Sequence, residues 1–199
     1  MTPSFIDALK KRRTQYALGR AVRQDRATIE ALVKDAMRHT PSSFNSQSSR
    51  ALILFGAQSE RFWKLVEAAL RPIAPKEGFD RTVAKLAGFA AGIGTVLFYE
   101  DQDVVKGLKE KFAAYADNFP VWSEQSGGMA QFATWLAFAD AGIGASLQHY
   151  NPVVDDAVRA EWNVPASWKL RAQMPFGSHE GPFKDKDFID DANRFIVAG

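Results

Sequence analysis

The chain has 199 residues, 46% of them hydrophobic, with a formal net charge of +2 and no cysteine. The nearly balanced charge gives no indication of a nucleic-acid partner, and the lack of cysteine excludes disulfides, thiolate metal sites and a cysteine nucleophile. No apolar run approaches the roughly 18 residues of a membrane span, and the N-terminal segment lacks the apolar stretch of a secretory signal. We therefore expect a cytoplasmic protein whose residues 1–199 form a single domain.

The first half of the chain alternates helical and strand-like patterns. An amphipathic helix is predicted over residues 3–18, where apolar side chains share one face ahead of a basic run. Asp25 is the predicted N-cap of a second helix, because apolar residues recur at helical spacing after it. A buried strand is predicted over residues 50–57, and helices over 59–71 and 79–91.

In the second half, a strand is predicted over residues 95–100 and a helix from its cap Asp101 to residue 115. Residues 126–144 carry apolar side chains on nearly every face, which is typical of a helix buried all round and is most simply explained by a partner subunit. Beyond it, we predict a helix from Pro152 to residue 162 and strands over 167–177 and 193–199. Several helices separated by four or five strands predict an α+β fold with a mainly antiparallel or mixed sheet packed under helices.

The tetrapeptide Ala-Gly-Ile-Gly occurs twice, at residues 91–94 and 141–144, each time after an apolar helical pattern. Each copy predicts a helix that ends at glycine and continues as an extended segment. The glycine spacing does not fit the dinucleotide-binding pattern G-x-G-x-x-G.

The three histidines, His39, His149 and His179, lie far apart in sequence and do not show metal-ligand spacing. A metal site is therefore not predicted. Spacing alone leaves a Ser-His-Asp triad open, but no G-x-S-x-G motif supports it.

Three short segments are rich in hydrogen-bond donors or positive charge. Residues 10–16, KKRRTQY, suit either the C-terminal end of a helix, whose dipole favours cations, or an anion site. Residues 41–47, PSSFNSQ, suit either a turn or a cradle of polar donors, and residues 183–186, FKDK, add two further lysines. Each segment taken alone leaves both interpretations open.

Taken together and in order, these segments resemble the FMN-dependent nitroreductase family, and within it the short branch related to the fatty acid repression mutant proteins. The segments that carry the resemblance cover nearly the whole chain: KRRTQYAL at 11–18, TPSSFNSQSSR at 40–50, GTVLFYEDQ at 94–102, FPVWSEQSGGMAQ at 119–131, GIGASLQHYNP at 142–152 and WKLRAQMPFG at 168–177.

The resemblance implies an intertwined homodimer with two FMN sites at the subunit interface. The helix over residues 126–142 would lie in that interface, and the C-terminal strand would reach onto the partner. Residues implied for the flavin phosphate and ring edge are Arg12, Arg13 and Thr14, with Lys184 and Lys186 on the other side of the phosphate. Lys85 would lie near the pyrimidine edge, where positive charge stabilises reduced flavin. The other subunit would contribute Pro41, Ser42, Ser43 and Asn45 to the isoalloxazine and ribityl chain.

Two positions depart from the family pattern. Tyr16 stands where a basic residue is common, which removes one expected phosphate contact. Gln148 and His149 stand where a Glu-Gly pair usually lies near flavin N5. A backbone donor to N5 remains compatible with this change. His149 is a candidate proton donor to the product, with a structural histidine as the alternative.

The implied function is an FMN oxidoreductase that takes hydride from NADH or NADPH through flavin N5 and reduces nitroaromatic or quinone acceptors. Such chemistry requires no side-chain acid or base, since the flavin performs it. Two alternatives stay open: a flavin-binding regulatory or stress-sensing protein with little turnover, and a flavin-free dimeric interaction module. Candidates for an apolar slot over the flavin, each with a core position as the favoured alternative, are Phe44, Tyr115, Phe119 and Trp122.

Overall fold

The computed structural model describes residues 5–199, which form seven α-helices and five strands. In chain order they are α1 (Phe5–Lys11), β1 (Leu18–Gly19), α2 (Arg26–Arg38), β2 (Ser49–Phe55), α3 (Ala57–Leu70), α4 (Phe79–Ala90), β3 (Gly94–Asp101), α5 (Gln102–Lys111), α6 (Phe119–Asp140), β4 (Gly144–Ala145), α7 (Asp155–Trp162) and β5 (Trp168–His179). Within this described range, no helix is both long and apolar enough to cross a membrane.

The strands form one sheet in the order β1-β5-β3-β2, and β4 also pairs with β5. Every pairing between these strands is antiparallel, which confirms the predicted α+β fold with a mainly antiparallel sheet. Strand β3 lies between two long neighbours, and all of its residues are buried. Alternate side chains of β3 therefore enter opposite cores.

Helices cover both faces of the sheet. On one face, Leu97 and Tyr99 of β3 pack with side chains of α3, α4 and α7, including Trp63. On the other face, Val96 and Phe98 pack with side chains of α2 and α6. Helix α6 makes contacts with α2, α1 and α5 and with the sheet, so it is the centre of the second layer.

Both predicted aspartate caps are confirmed. The Asp25 carboxylate accepts from the Thr28 N–H at 2.8 Å, and the Asp101 carboxylate accepts from the Asp103 N–H at 3.2 Å. Each bond satisfies a backbone donor that the first turn of a helix leaves without a partner.

Both glycine-terminated helices are also confirmed, for two different reasons. Gly142 follows α6 with φ +73°, a left-handed conformation that favours glycine. After α4, a Cβ on Gly92 would come within 2.5 Å of the Phe176 carbonyl oxygen, so close approach of two backbones requires glycine there.

Two helix boundaries near the N-terminal segment and α7 were wrong. The helix predicted over 3–18 ends at Lys11, because the next residues pair with β4; its first two predicted residues lie outside the described range. Helix α7 begins at Asp155 rather than Pro152, whose carbonyl accepts from the Asp155 N–H in a turn. Asp155 and Asp156 then suit the positive end of the helix dipole.

The predicted ends of α5 and α6 were also wrong. Helix α5 ends at Lys111, and a separate 3-10 turn spans Ala113–Tyr115. Helix α6 begins at Phe119, earlier than predicted, because Pro120 is tolerated in a first turn. Only one face of α6 is buried within the described chain, and Met129 and Phe132 are each 40% exposed.

The strand predicted over residues 193–199 does not form. Only a 3-10 turn, Asp191–Asn193, lies in this segment, and the residues after it are exposed. A strand needs a neighbour for its backbone hydrogen bonds, and within residues 5–199 this segment has none.

Candidate functional site

The first group of predicted site residues directly follows α1. Thr14 forms an isolated parallel bridge with Ala145, and the Gln15 N–H donates to the Ala145 carbonyl at 2.9 Å. The buried Gln15 side chain donates from Nε2 to the carbonyl of Gly181 at 3.1 Å. The segment after α1 is therefore tied both to β4 and to the C-terminal segment.

Between the segment after α1 and the C-terminal segment lies a pocket of about 550 Å³, here named the basic pocket. It is lined by residues 12–17 and 181–186. The fold thus brings together the five residues predicted near the flavin phosphate: Arg12, Arg13, Thr14, Lys184 and Lys186. Asp185 is the single carboxylate among the described residues that line it. The pocket is therefore strongly positive and suits an anion.

Arg12 is the residue whose surroundings best suit an anion. Its guanidinium lies 4.4 Å from the centre of the Trp135 ring, which fixes its orientation. Its Nη1 is buried and has no hydrogen-bond partner in the described part of the chain. Burial lowers the pKa of Arg12, and the neighbouring charge of Arg13 lowers it further. A phosphate group in the basic pocket would offset both effects, so these residues fit the phosphate end of FMN.

Lys85 is not among the described residues that line this pocket, but it shares a neighbour with one of them. Its Nζ is 5.6 Å from the centre of the Phe89 ring, and the Tyr16 ring centre is 6.3 Å from the same ring. Tyr16 does line the basic pocket. Lys85 and Tyr16 therefore flank one buried aromatic side chain at the edge of the pocket.

Gln148 and His149 differ sharply in their surroundings. The Gln148 N–H donates to the Gln173 carbonyl at 2.8 Å, and its side-chain Nε2 donates to Ser146 Oγ at 3.1 Å. His149 is exposed, and within residues 5–199 its backbone N–H has no hydrogen-bond partner. Of this predicted pair, His149 is therefore the residue with groups free to meet a ligand.

Residues 41–47, here named the serine loop, lie apart from the basic pocket. Pro41 and Ser42 line a second pocket of about 490 Å³, bounded by α2, β2 and α6. Ser43 and Asn45 lie in a 3-10 turn next to it. Among the residues that the structure describes, none lines both pockets. One chain therefore holds the two predicted halves of the cradle in separate places.

The serine loop has an unusual backbone. Phe44, Asn45 and Gln47 have φ values of 55°, 49° and 48°, all in the left-handed region. Such residues store roughly 1–3 kcal/mol each and persist only where their surroundings hold them. The Ser42 Oγ accepts from the Gln47 N–H at 2.9 Å, which closes the loop on itself.

Four aromatic rings surround Phe44 and hold the serine loop. Ring centres lie 4.9 to 5.9 Å from that of Phe44, and the Trp122 ring stacks on it at 22°. Phe44 is nevertheless 50% exposed. The four side chains suggested for an apolar slot thus lie close together, and Phe112 joins them. This group is here named the aromatic cluster and consists of Phe44, Phe112, Tyr115, Phe119 and Trp122.

Sequence reasoning missed Glu100, a fully buried carboxylate that accepts hydrogen bonds from Ser48, Ser49 and Ser123. The only signal in the sequence was one acidic residue near the end of an otherwise apolar strand. No group of three His, Cys, Asp or Glu side chains in the described range could hold a metal ion.

Comparisons with known proteins identify the family of this chain. The model of the nitroreductase family matches residues 9–178. The nitroreductase FRM2 of Saccharomyces cerevisiae is 31% identical over 191 residues, covering 95% of this chain and 95% of that protein. The structure of nitroreductase CinD from Lactococcus lactis, solved with chloramphenicol and also with 4-nitrophenol, is 52% identical, with a TM-score of 0.91 over 98% of this chain and 100% of that chain.

A more distant structure shares the fold. A nitroreductase with bound FMN from Desulfitobacterium hafniense is 13% identical, with a TM-score of 0.70 over the full length of both chains. We conclude from the family match and the similarity to FRM2 and CinD that this chain belongs to the nitroreductase family, in the branch that includes FRM2.

Proposed function

We propose that this chain is a single-domain FMN-dependent oxidoreductase that uses NADH or NADPH to reduce nitroaromatic or quinone acceptors. One observation carries the proposal: the buried Nη1 of Arg12, which lacks a partner in the described chain, points to an anion in a pocket with three further cations. Because the chain belongs to the nitroreductase family, we identify that anion with the phosphate group of FMN.

The phosphate would be bound by charge-assisted hydrogen bonds. Arg12 and Arg13 approach from the segment after α1, and Lys184 and Lys186 from the C-terminal segment. Each such bond contributes roughly 1.5–3 kcal/mol, and Arg12 loses little freedom on binding because Trp135 already orients it. Several such contacts are enough to hold a flavin without a covalent bond.

Bound FMN would supply the redox chemistry, accepting hydride from a reduced nicotinamide and passing electrons to the acceptor. This chain would orient and tune it. Lys85 would place positive charge near the pyrimidine edge. In the loop near N5, the Gln148 N–H is already used by Gln173, so the exposed His149 N–H is the available backbone donor. His149 is also the candidate proton donor to the product.

The second half of the cradle would come from a second copy of the chain. Within one chain the serine loop and the basic pocket share no residues, so Pro41, Ser42, Ser43 and Asn45 would act on the partner's flavin. Unburied apolar side chains support a homodimer. They lie on α6 and in the C-terminal segment: Val121, Met129, Phe132, Phe188, Ile189, Phe195, Ile196 and Val197.

The acceptor would bind against the aromatic cluster. Chloramphenicol and 4-nitrophenol, which CinD binds in its solved structures, both carry a nitro group on an aromatic ring. The partly exposed ring of Phe44 offers such a compound a flat apolar wall beside the serine loop.

The test is the visible absorption spectrum of the purified protein, before and after anaerobic addition of NADPH and then NADH. Flavin absorbance that bleaches, followed by turnover with 4-nitrophenol or a quinone, supports the proposal. The double variant Arg12→Ala, Lys186→Ala should lose bound flavin. Its charge-matched control, Arg23→Ala with Lys76→Ala, removes two exposed cations that line neither pocket and should stay yellow.

Three other outcomes would overturn parts of the proposal. Protein that stays yellow with both reductants would favour the regulatory or sensing alternative. Protein that takes up no FMN would contradict the flavin assignment and favour a plain interaction module. Equal loss of flavin in the site variant and the control variant would remove the basic pocket from the assignment.

A further inference from the structure

A fully buried carboxylate lies where β3, α6 and the end of the serine loop meet. Glu100 is 0% exposed. Its Oε2 accepts from Ser48 Oγ and from Ser123 Oγ, both at 2.6 Å, and its Oε1 accepts from Ser49 Oγ at 2.5 Å. Three hydroxyls from two separate parts of the chain therefore converge on one side chain.

The helix opposite makes room for this carboxylate. A Cβ on Gly127 of α6 would lie 2.9 Å from Glu100 Oε1. Glycine inside a helix is unfavourable by itself, so its presence here is explained by the close approach of the carboxylate.

Within residues 5–199, no cation forms a hydrogen bond with the Glu100 carboxylate. Burial lowers the pKa of Arg171, and the nearby charge of Glu100 offsets part of this effect. Its Nε donates instead to Glu124 Oε2 at 2.8 Å. In the described chain, the hydrogen bonds to the Glu100 carboxylate all come from serine hydroxyls.

Hydrophobic packing alone would not select this arrangement. Val96 and Phe98 precede Glu100 on the same face of β3 and belong to an apolar core. A buried carboxylate without a cationic partner is unfavourable relative to an apolar side chain of similar size. What the network provides in return is a defined position for the groups that it joins.

The groups that it joins include the end of the serine loop. Ser48 and Ser49 directly follow that loop, and the Ser48 carbonyl accepts from the Asp101 N–H at 3.0 Å. The loop itself has three non-glycine residues in the left-handed region, so it depends on fixed ends. Its anchors at this end include the two serine bonds to Glu100, together with the Asp101 backbone bond and a bond from Arg50 Nη1 to the Gln47 carbonyl.

We infer that Glu100 is a positioning residue for the flavin site: through Ser48 and Ser49 it sets where the serine loop presents its polar groups to the flavin of the partner copy. This inference rests on the proposed function. Because Glu100 is fully buried, it would act on the flavin only through the loop.

The structure offers a matched pair of variants that tests this role. Ser48→Ala and Ser123→Ala each remove one buried hydroxyl from the same Oε2 atom at the same distance of 2.6 Å. Of the two, Ser48 directly follows the serine loop in the chain, whereas Ser123 lies on α6. We expect similar falls in the melting temperature. Ser48→Ala should raise the Kd for FMN about tenfold and shift the visible flavin spectrum, whereas Ser123→Ala should leave the Kd within about twofold.

Two additional variants complete the experiment. Glu100→Gln keeps one acceptor oxygen and should move the Kd in the same direction as Ser48→Ala. Ser59→Ala removes a buried hydroxyl on the other side of the sheet, bonded to Thr95 Oγ1 at 2.7 Å, and should leave the Kd unchanged. Equal changes in Kd for Ser48→Ala and Ser123→Ala would overturn the inference and leave a purely structural network.

Hydrogen exchange in the flavin-free protein separates this inference from the proposed function. Faster exchange of residues 42–50 in Ser48→Ala than in Ser123→Ala supports the anchoring of the loop by Glu100, and equal exchange contradicts it. Wild-type protein that binds no FMN instead overturns the proposed function.

Discussion

Replacing Arg12 by alanine should change flavin affinity and apoprotein stability in different ways. In the apoprotein, the Arg12 guanidinium gains from the Trp135 ring, a contact worth about 0.5–2 kcal/mol. It loses from burial and from the charge of Arg13, both of which lower its pKa, and its Nη1 has no partner in the described chain. These contributions oppose each other, so the free energy of unfolding of the apoprotein should change by less than about 1 kcal/mol.

With FMN bound, the same side chain would form a charge-assisted bond to phosphate worth roughly 1.5–3 kcal/mol. Arg12→Ala should therefore raise the Kd for FMN by roughly 10- to 150-fold. Arg12→Lys keeps the charge but loses the planar fork and the stacking on Trp135, so its Kd should lie between those of wild type and Arg12→Ala.

The assay is a fluorescence titration of apoprotein with FMN, together with thermal unfolding with and without flavin. FMN should raise the melting temperature of wild type much more than that of Arg12→Ala, because the stabilisation follows the affinity. A Kd within about threefold of wild type, with equal destabilisation of both forms, would refute the assignment of Arg12 to the phosphate.

Three further changes test the packing, a buried hydroxyl and the dimer. Gly127→Ala should lower the free energy of unfolding by about 1–3 kcal/mol, because its Cβ would lie 2.9 Å from Glu100 Oε1. The control Gly107→Ala, whose Cβ meets no atom within 4 Å, should raise the free energy of unfolding by about 0.5–1 kcal/mol. Denaturant titrations measure both. Tyr99→Phe removes a buried hydroxyl that has no hydrogen-bond partner in residues 5–199 and should be neutral or stabilising by up to about 1 kcal/mol at pH 7. Burial, and then a neighbouring carboxylate, raise the pKa of Tyr99. Its contribution to the free energy of unfolding is therefore fully present below about pH 10, the ordinary tyrosine pKa, and is lost above it, where the unfolded chain gives up its proton first. The stability of Tyr99→Phe should fall less steeply than that of wild type above this pH, and identical slopes would contradict this. If the protein is the proposed homodimer, deletion of residues 188–199, which keeps both site lysines, should shift it from dimer to monomer in light scattering and weaken FMN binding. A dimer that survives the deletion would contradict the role proposed for this segment.

The sequence by itself determined most of the secondary structure and the family. Asp25 and Asp101 were identifiable as caps because a cap is a local feature: one side chain bonds to an N–H two or three residues ahead. The basic run after α1 and the FKDK segment were identifiable as candidate anion ligands because lysine and arginine carry positive charge in any fold. Only the resemblance indicated that both segments belong to one site. About 170 positions separate them, and local sequence patterns do not predict contacts over such a separation.

Only the tertiary structure decided how these segments meet. Helix α1 ends at Lys11 because Thr14 and Gln15 pair with Ala145, a partner far along the chain. Phe44 adopts its left-handed conformation because four rings from the region of α5 and α6 surround it. The role of Glu100 depends on serines about 50 positions before it and 23 positions after it. In each case the deciding contact is long-range, so its free energy is decided by the packed fold and leaves no periodic signal in the sequence.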